Sequence, residues 1–61
     1  MTELPRVGAP ATRALQNAGY DSLESLAGAD TAALLALHGF GPKAVRIINE
    51  ALAEAGLDSL R

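Results

Sequence analysis

The chain has 61 residues with seven acidic and five basic side chains, so its formal net charge is −2 at pH 7. A chain this short buries only about 60% of its unfolded surface, and we expect one thin domain over residues 1–61. The absence of cysteine excludes disulfides and cysteine-bound zinc as braces. No apolar run is long enough to cross a bilayer and no leader pattern opens the chain, so we expect a cytoplasmic protein.

Apolar residues at helical spacing predict an all-α fold with no strand. A single turn is expected at residues 3–5, and the predicted helices cover residues 10–18, a short segment ending near residue 27, residues 32–38 and residues 42–55. Leu34, Leu35 and Leu37 are core candidates, and Phe40 is expected to plug the core rather than to stack on a base. The leucines after Gly56 are expected to fold back onto the bundle.

Capping residues mark the predicted helix starts in the middle of the chain. Asp21 or Ser22 is the predicted cap of the second helix, with Glu24 reaching back as in a capping box. Asp30 or Thr31 is the predicted cap of the third helix. The middle of the chain is therefore expected to hold two short helices.

The stretch from residue 37 to residue 48 has the strongest functional pattern. Gly39 suits a residue of positive φ at a helix end, Gly41 lets the backbone approach something outside, and Pro42 suits the first position of the next helix. Two helices joined in this way form a helix-hairpin-helix whose turn presents free N–H groups. Lys43 and Arg46 add positive charge there, so the expected ligand is an anion, above all a nucleic-acid phosphate.

A shift of 33 residues superposes the beginning of the chain on this hairpin. It matches Leu4 with Leu37, Val7 with Phe40, Gly8 with Gly41, Ala11 with Ala44, Arg13 with Arg46, Leu15 with Ile48 and Ala18 with Ala51. We therefore expect two hairpins, near residues 7–11 and 39–44, related by a pseudo-twofold axis. Because duplex DNA has two backbones related by a twofold, each hairpin is expected to hold one of them across the minor groove.

Each of these features also has a simpler interpretation. Helical domains that bind no ligand use similar glycine turns, and Arg46 can pair with Glu50 on its own helix. The two glycines resemble part of the dinucleotide-binding fingerprint, but they follow a helix rather than a strand, which excludes that motif. His38 is the single histidine and has no partner at metal-ligand spacing, and no nucleophile–base or carboxylate pair is present. We therefore expect neither a metal site nor catalysis.

The sequence from Leu4 to Leu60 resembles the C-terminal domain of the bacterial RNA polymerase alpha subunit, a helix-hairpin-helix domain that binds DNA. The resemblance is carried by the segments at residues 20–23, 24–26, 34–35, 39–44 and 52–57. It implies a compact helical domain that reads A·T-rich minor groove through phosphate contacts and an inserted arginine. It also implies contact with transcription factors.

The residue-by-residue match to that family is partial. Lys43 stands where the family has a phosphate-contacting lysine, and Gly41 where it has the hairpin glycine. Pro10 stands in place of the minor-groove arginine, and Gly39 in place of a hairpin asparagine. Arg13 takes the position of a further asparagine and is expected to substitute in part. The resemblance therefore implies generic phosphate binding more than sequence readout.

These observations predict a compact four- to five-helix tandem helix-hairpin-helix (SAM-like) bundle with no enzymatic activity, cofactor, metal, membrane contact or small-molecule substrate. The predicted function is weak, largely sequence-independent binding of double-stranded DNA, which would associate the protein with the nucleoid. The alternative is a protein-interaction module of the same fold, acting in transcription or DNA repair. The predicted DNA-binding residues are Arg6, Gly8, Ala9, Arg13, Gly39, Gly41, Lys43 and Arg46.

Overall fold

A computed structural model describes residues 3–61, and every regular element in this range is helical. Helix α1 spans Ala9–Asn17, a 3-10 turn spans Glu24–Leu26, α2 spans Thr31–Leu35 and α3 spans Pro42–Glu54. The all-α prediction is confirmed. The count of four to five helices is not confirmed, because the described residues form three α-helices and one 3-10 turn.

The segment before α1 has no regular structure, so the turn predicted at residues 3–5 is wrong. The physical reason is Pro5, whose ring disfavours helical backbone at the residue that precedes it. Leu4 and Val7 nevertheless pack, partly buried, against the core. The chain therefore enters the first hairpin through an irregular segment and not through a helix.

Helices α1 and α3 end in the same way. Each is followed by a glycine of positive φ, and the next amide donates back across the last turn, which is the Schellman arrangement that satisfies terminal carbonyls. The glycines are Gly19 (φ 94°) and Gly56 (φ 72°), and the bonds run from Tyr20 N to Leu15 O and from Leu57 N to Leu52 O, both at 2.8 Å. The pattern Gly-x-Asp-Ser-Leu follows both helices and is a second internal match. Its shift along the sequence is larger than that of the hairpin match, because α3 is one turn longer than α1.

The short second helix is a single 3-10 turn that two serines cap reciprocally. Ser22 N donates to Ser25 Oγ and Ser25 N to Ser22 Oγ, each at 3.4 Å, and Ser25 Oγ donates to Ser22 O at 2.6 Å. Ser22, one of the two predicted caps, is therefore paired with Ser25, while the contact expected of Glu24 stays a prediction. A hydroxyl both donates and accepts, whereas a carboxylate only accepts, so the serine satisfies both backbone groups of buried Ser22.

Helix α2 is shorter than predicted. Asp30 caps it, as expected, by accepting a bond from Ala32 N at 3.3 Å. The helix ends at Leu35 because the amides of residues 37 and 40 bond three residues back, in the tighter 3-10 pattern. His38 therefore lies in the turn and not in the last turn of a helix.

All four elements contribute to one apolar core. Its fully buried side chains are Leu15 of α1, Leu26 of the 3-10 turn, Leu34 of α2, and Ile48 and Leu52 of α3. Phe40 is buried against them, which confirms the predicted plug. Leu35 is 42% exposed, so its predicted core position is wrong. A helix of five residues presents one narrow side to the core, and Leu34 occupies it.

The C-terminal residues fold back onto the bundle, as predicted. Leu60 is buried, and its N–H donates to Asn49 Oδ1 of α3 at 2.9 Å. Arg61 N donates to Ala29 O at 2.8 Å, and Thr31 N donates to Arg61 O at 2.9 Å. These bonds fix the start of α2 and hence the helix that leads into the second hairpin.

Candidate nucleic-acid interface

The two hairpins occupy equivalent places in the fold. Helix α1 begins one residue after Gly8 and α3 one residue after Gly41, which are 33 positions apart, as the internal match predicts. The matched positions within the helices are buried alike: Ala11 and Ala44 are 3% and 5% exposed, and Leu15 and Ile48 are fully buried. The repeat is therefore structural as well as sequential.

The hairpins touch through Pro10 and Gly39. A Cβ atom on Gly39 would lie 3.2 Å from both the Cβ and the carbonyl oxygen of Pro10, and the φ angle of Gly39 is +86°. Glycine is thus required at this position for two reasons, the left-handed backbone and the close approach of α1. The positive φ predicted for Gly39 is confirmed, and the two glycine turns lie side by side.

Residues of both hairpins line one cleft of about 320 Å³, which we call the hairpin cleft. Arg6 and Gly8 contribute from the first hairpin, and Gly39, Gly41 and Lys43 from the second. The remaining lining residues are apolar: Val7, Ala11, Ala44 and Ile47. None of the lining residues is acidic, so Arg6 and Lys43 determine the charge of the cleft.

Several backbone N–H groups of the hairpins have no acceptor within residues 3–61. They include those of Gly8 and Ala9 in the first hairpin and of Gly41 and Lys43 in the second. The first amides of a helix have no partner inside it, which leaves them to solvent or to an anion. All four of these residues are among the DNA-binding residues that the sequence predicts.

Two helical hairpins in tandem are the hallmark of a known family. A family model described as a SAM-like helix-hairpin-helix tandem matches residues 1–54. This chain belongs to that family. It is also 46% identical over 48 residues to the ATP-dependent DNA helicase Hel308 of Pyrococcus horikoshii. That match covers 79% of this chain but 7% of the helicase, and no solved structure matches the chain.

A second cleft of the tandem domain, of about 360 Å³, adjoins the contact between Pro10 and Gly39. We call it the side cleft. The polar residues of its lining are Arg13, Asn17 and His38, and the rest of the lining is Ala9, Pro10, Ala14 and Gly39. Sequence reasoning placed Arg13 in the site but missed the other two. Asn17 follows Arg13 by four residues on one face of α1, which is a readable signal, whereas His38 reaches the cleft only through the tertiary contact.

No contact or backbone angle inside the tandem domain requires glycine at position 41. Its φ of −131° and ψ of 177° are extended angles that any residue adopts. A Cβ atom there would meet no heavy atom within 4 Å. The missing side chain therefore leaves the edge of the hairpin cleft open to an approach from outside, which is the role that the sequence analysis expects of it.

Arg46 lies apart from both clefts. It is exposed on α3, three residues beyond Lys43, and lines neither cleft. Within residues 3–61 it forms no ion pair with Glu50, the partner suggested by their spacing. The guanidinium is therefore available to an outside ligand, but the fold does not bring it together with Arg6.

Other kinds of site are not formed by the part of the chain that the structure describes. No three of its histidine and acidic side chains are grouped to hold a metal ion. None of its helices is both long and apolar enough to span a membrane.

Proposed function

We propose that this tandem helix-hairpin-helix domain binds double-stranded DNA through the phosphate backbone, weakly and with little sequence specificity. The observation that carries the proposal is the hairpin cleft, where unpaired amides of both hairpins meet Arg6 and Lys43 on one acid-free surface. The likeness to a DNA helicase supports it. We also propose that residues 1–61 act as one domain, and that DNA binding associates it with the nucleoid of the cytoplasm.

The ligand is inferred from the chemistry of the cleft. Unpaired N–H groups at a helix start carry partial positive charge and attract anions, and the side chains of Arg6 and Lys43 add two full charges. A net charge of −2 opposes binding to a polyanion at long range. The local field matters more at contact, because at physiological salt charges separated by more than about 8 Å are largely screened. The local positive charge therefore favours contact with a phosphate, while the negative net charge keeps the overall affinity for DNA low.

Two strands are proposed as the ligand because there are two hairpins. The minor groove of B-DNA is about 6 Å wide, so its two backbones run close together. The hairpins touch at Pro10 and Gly39, so their two turns lie next to each other. Each hairpin is therefore proposed to hold one strand across the minor groove.

Low specificity follows from the kind of contact. Phosphate contacts position a protein on DNA but carry no sequence information. Pro10 stands where the RNA polymerase alpha family has its minor-groove arginine, and it is occupied in the contact with Gly39. That resemblance also implies a role in transcription, which we propose only as part of the alternative function described below.

The proposal is tested by fluorescence anisotropy with a labelled A·T-rich duplex over a series of salt concentrations. If Arg6, Arg13, Lys43 and Arg46 each neutralise one phosphate, the slope of log K against log salt is roughly −3.6. The double variant R6A/K43A is expected to reduce its magnitude by about 1.8. R61A removes one exposed cation outside both clefts and is the matched control. An unchanged slope in R6A/K43A would refute the hairpin cleft as the site.

Arg46 is tested separately, because it is exposed on α3 but lines neither cleft. K43A alone is expected to reduce the magnitude of the slope by about 0.9, and K43A/R46A by about 1.8 in total if Arg46 also contacts a phosphate. Equal slopes for K43A and K43A/R46A would remove Arg46 from the interface and leave the proposal for the cleft intact.

A second candidate function is a protein-interaction module acting in transcription or DNA repair. The observation that favours it is Leu35, which is 42% exposed on α2. The neighbouring Ala32 and Ala36 are exposed as well, so this side of α2 is uncharged. The same anisotropy titration separates the two functions. An absence of duplex binding at tens of micromolar protein in low salt would favour protein interaction and refute DNA binding.

A further inference from the structure

We propose that the side cleft is a second anion subsite, which takes a sugar–phosphate unit of the nucleic acid next to the phosphates held in the hairpin cleft. The inference rests on the proposed function and extends it beyond the hairpin amides. It assigns a binding role to Asn17 and His38, which lie outside the hairpin motif. These two residues would bind the sugar–phosphate unit together with Arg13.

The polar groups of the side cleft come from two separate parts of the fold. Arg13 and Asn17 lie one helical turn apart on α1, about 6 Å along its axis. His38 comes from the turn after α2, and all three side chains are exposed. An arginine, an asparagine and a histidine thus line one cavity, and no acidic residue is part of its lining. This set donates hydrogen bonds readily and suits an anion.

The other residues that line the side cleft suit the sugar–phosphate backbone of a nucleic acid better than a nucleobase. Ala9, Pro10 and Ala14 form an apolar surface suited to the carbon face of a sugar. Proteins that bind exposed bases stack them on aromatic side chains. Neither aromatic residue lines the cleft, since Phe40 is buried in the core and Tyr20 packs against it. A sugar–phosphate unit therefore fits this lining better than a nucleobase does.

The position of the cleft connects it with the hairpin cleft. Gly39 lines both cavities, and Pro10 stands at the contact between the hairpins. A strand whose phosphate lies on the amides of Gly8 and Ala9 would continue along the exposed side of α1. Arg13 and then Asn17 are the polar side chains that it would meet in the side cleft.

His38 completes the lining of the side cleft. Arg13 lines the cleft with it, and the adjoining cavity is otherwise lined by Ala14, Asn17, Ala18 and Leu37, which are uncharged. An imidazole carries at least one N–H group, so His38 offers a hydrogen-bond donor to a phosphate.

The test measures the affinity and the salt slope of duplex binding for the parent, R13A, H38A and the control R61A. R13A is expected to reduce the magnitude of the slope by about 0.9. H38A removes a hydrogen-bond donor and is expected to lower the affinity at fixed salt by roughly 2- to 10-fold. R61A is expected to leave both the affinity and the slope close to those of the parent.

The outcomes separate this inference from the proposed function. If R6A/K43A flattens the slope while R13A and H38A behave as R61A does, the side cleft is refuted and the hairpin cleft stands. If the parent does not bind duplex at all, both are refuted. The altered side chains are exposed, and circular dichroism verifies that each variant folds. The single imidazole also permits a direct test by NMR. Ring signals of His38 that do not move on addition of duplex at pH 6 would overturn the subsite.

Discussion

Replacing Gly39 by alanine is expected to destabilise the fold by more than the same replacement at Gly56. Both glycines have positive φ, 86° and 72°, and a residue with a Cβ atom pays roughly 1–2 kcal/mol for that backbone. At Gly56 the new Cβ would meet nothing within 4 Å. At Gly39 it would lie 3.2 Å from the Cβ and from the carbonyl oxygen of Pro10. Overpacking of this kind costs about 1–3 kcal/mol more.

Thermal unfolding followed by circular dichroism measures the difference. One kcal/mol corresponds to roughly 4–8 °C in a domain of this size, so Tm of G39A is expected at least about 4 °C below that of G56A. P10A is expected not to rescue G39A, because alanine retains all three close atoms of Pro10: its Cβ, carbonyl carbon and carbonyl oxygen. Equal Tm values for G39A and G56A would show that α1 moves aside, and would refute the argument that the hairpin contact is rigid.

Three further substitutions test single features. G41A is expected to keep or raise stability by up to about 1 kcal/mol, since its backbone is extended, yet to weaken duplex binding in the anisotropy assay. N49A removes the acceptor of Leu60 N and is expected to cost about 0.5–1.5 kcal/mol in denaturant unfolding, whereas N49D, which keeps an acceptor oxygen, is expected to cost less. D30A removes the cap on Ala32 N and is expected to cost about 0.5–2 kcal/mol, with D30S restoring most of the loss.

The sequence was sufficient to predict those parts of the fold that depend on residues adjacent in the chain. Pro42 begins α3 and Asp30 caps α2 because each satisfies a requirement of the first helical turn. The positive φ of Gly39 follows in the same way from the turn that it makes. Each of these features was therefore visible in a window of a few residues.

Tertiary contacts account for the features that could not be predicted. Leu35 has the same chemistry as Leu34, and only the shortness of α2 and its docking decide which of them is buried. The reciprocal bonds of Ser22 and Ser25 form around a 3-10 turn, which the local pattern did not distinguish from a short α-helix. His38 enters the side cleft through the approach of the second hairpin to α1, which no local pattern encodes. The roles of the site residues in binding DNA therefore stay predictions until the variants are measured.

The contact between the hairpins also explains why their cations are arranged differently. At the 33-residue shift, Pro10 is the counterpart of Lys43 and Arg6 is the counterpart of Gly39. Pro10 lies against Gly39, so any side chain at residue 10 starts at the contact between the hairpins. Arg6 instead lines the hairpin cleft from the irregular segment before α1, and Lys43 lines it from the first turn of α3. Each hairpin thus contributes one cation to the shared cleft, although the two cations stand at different positions of the repeat.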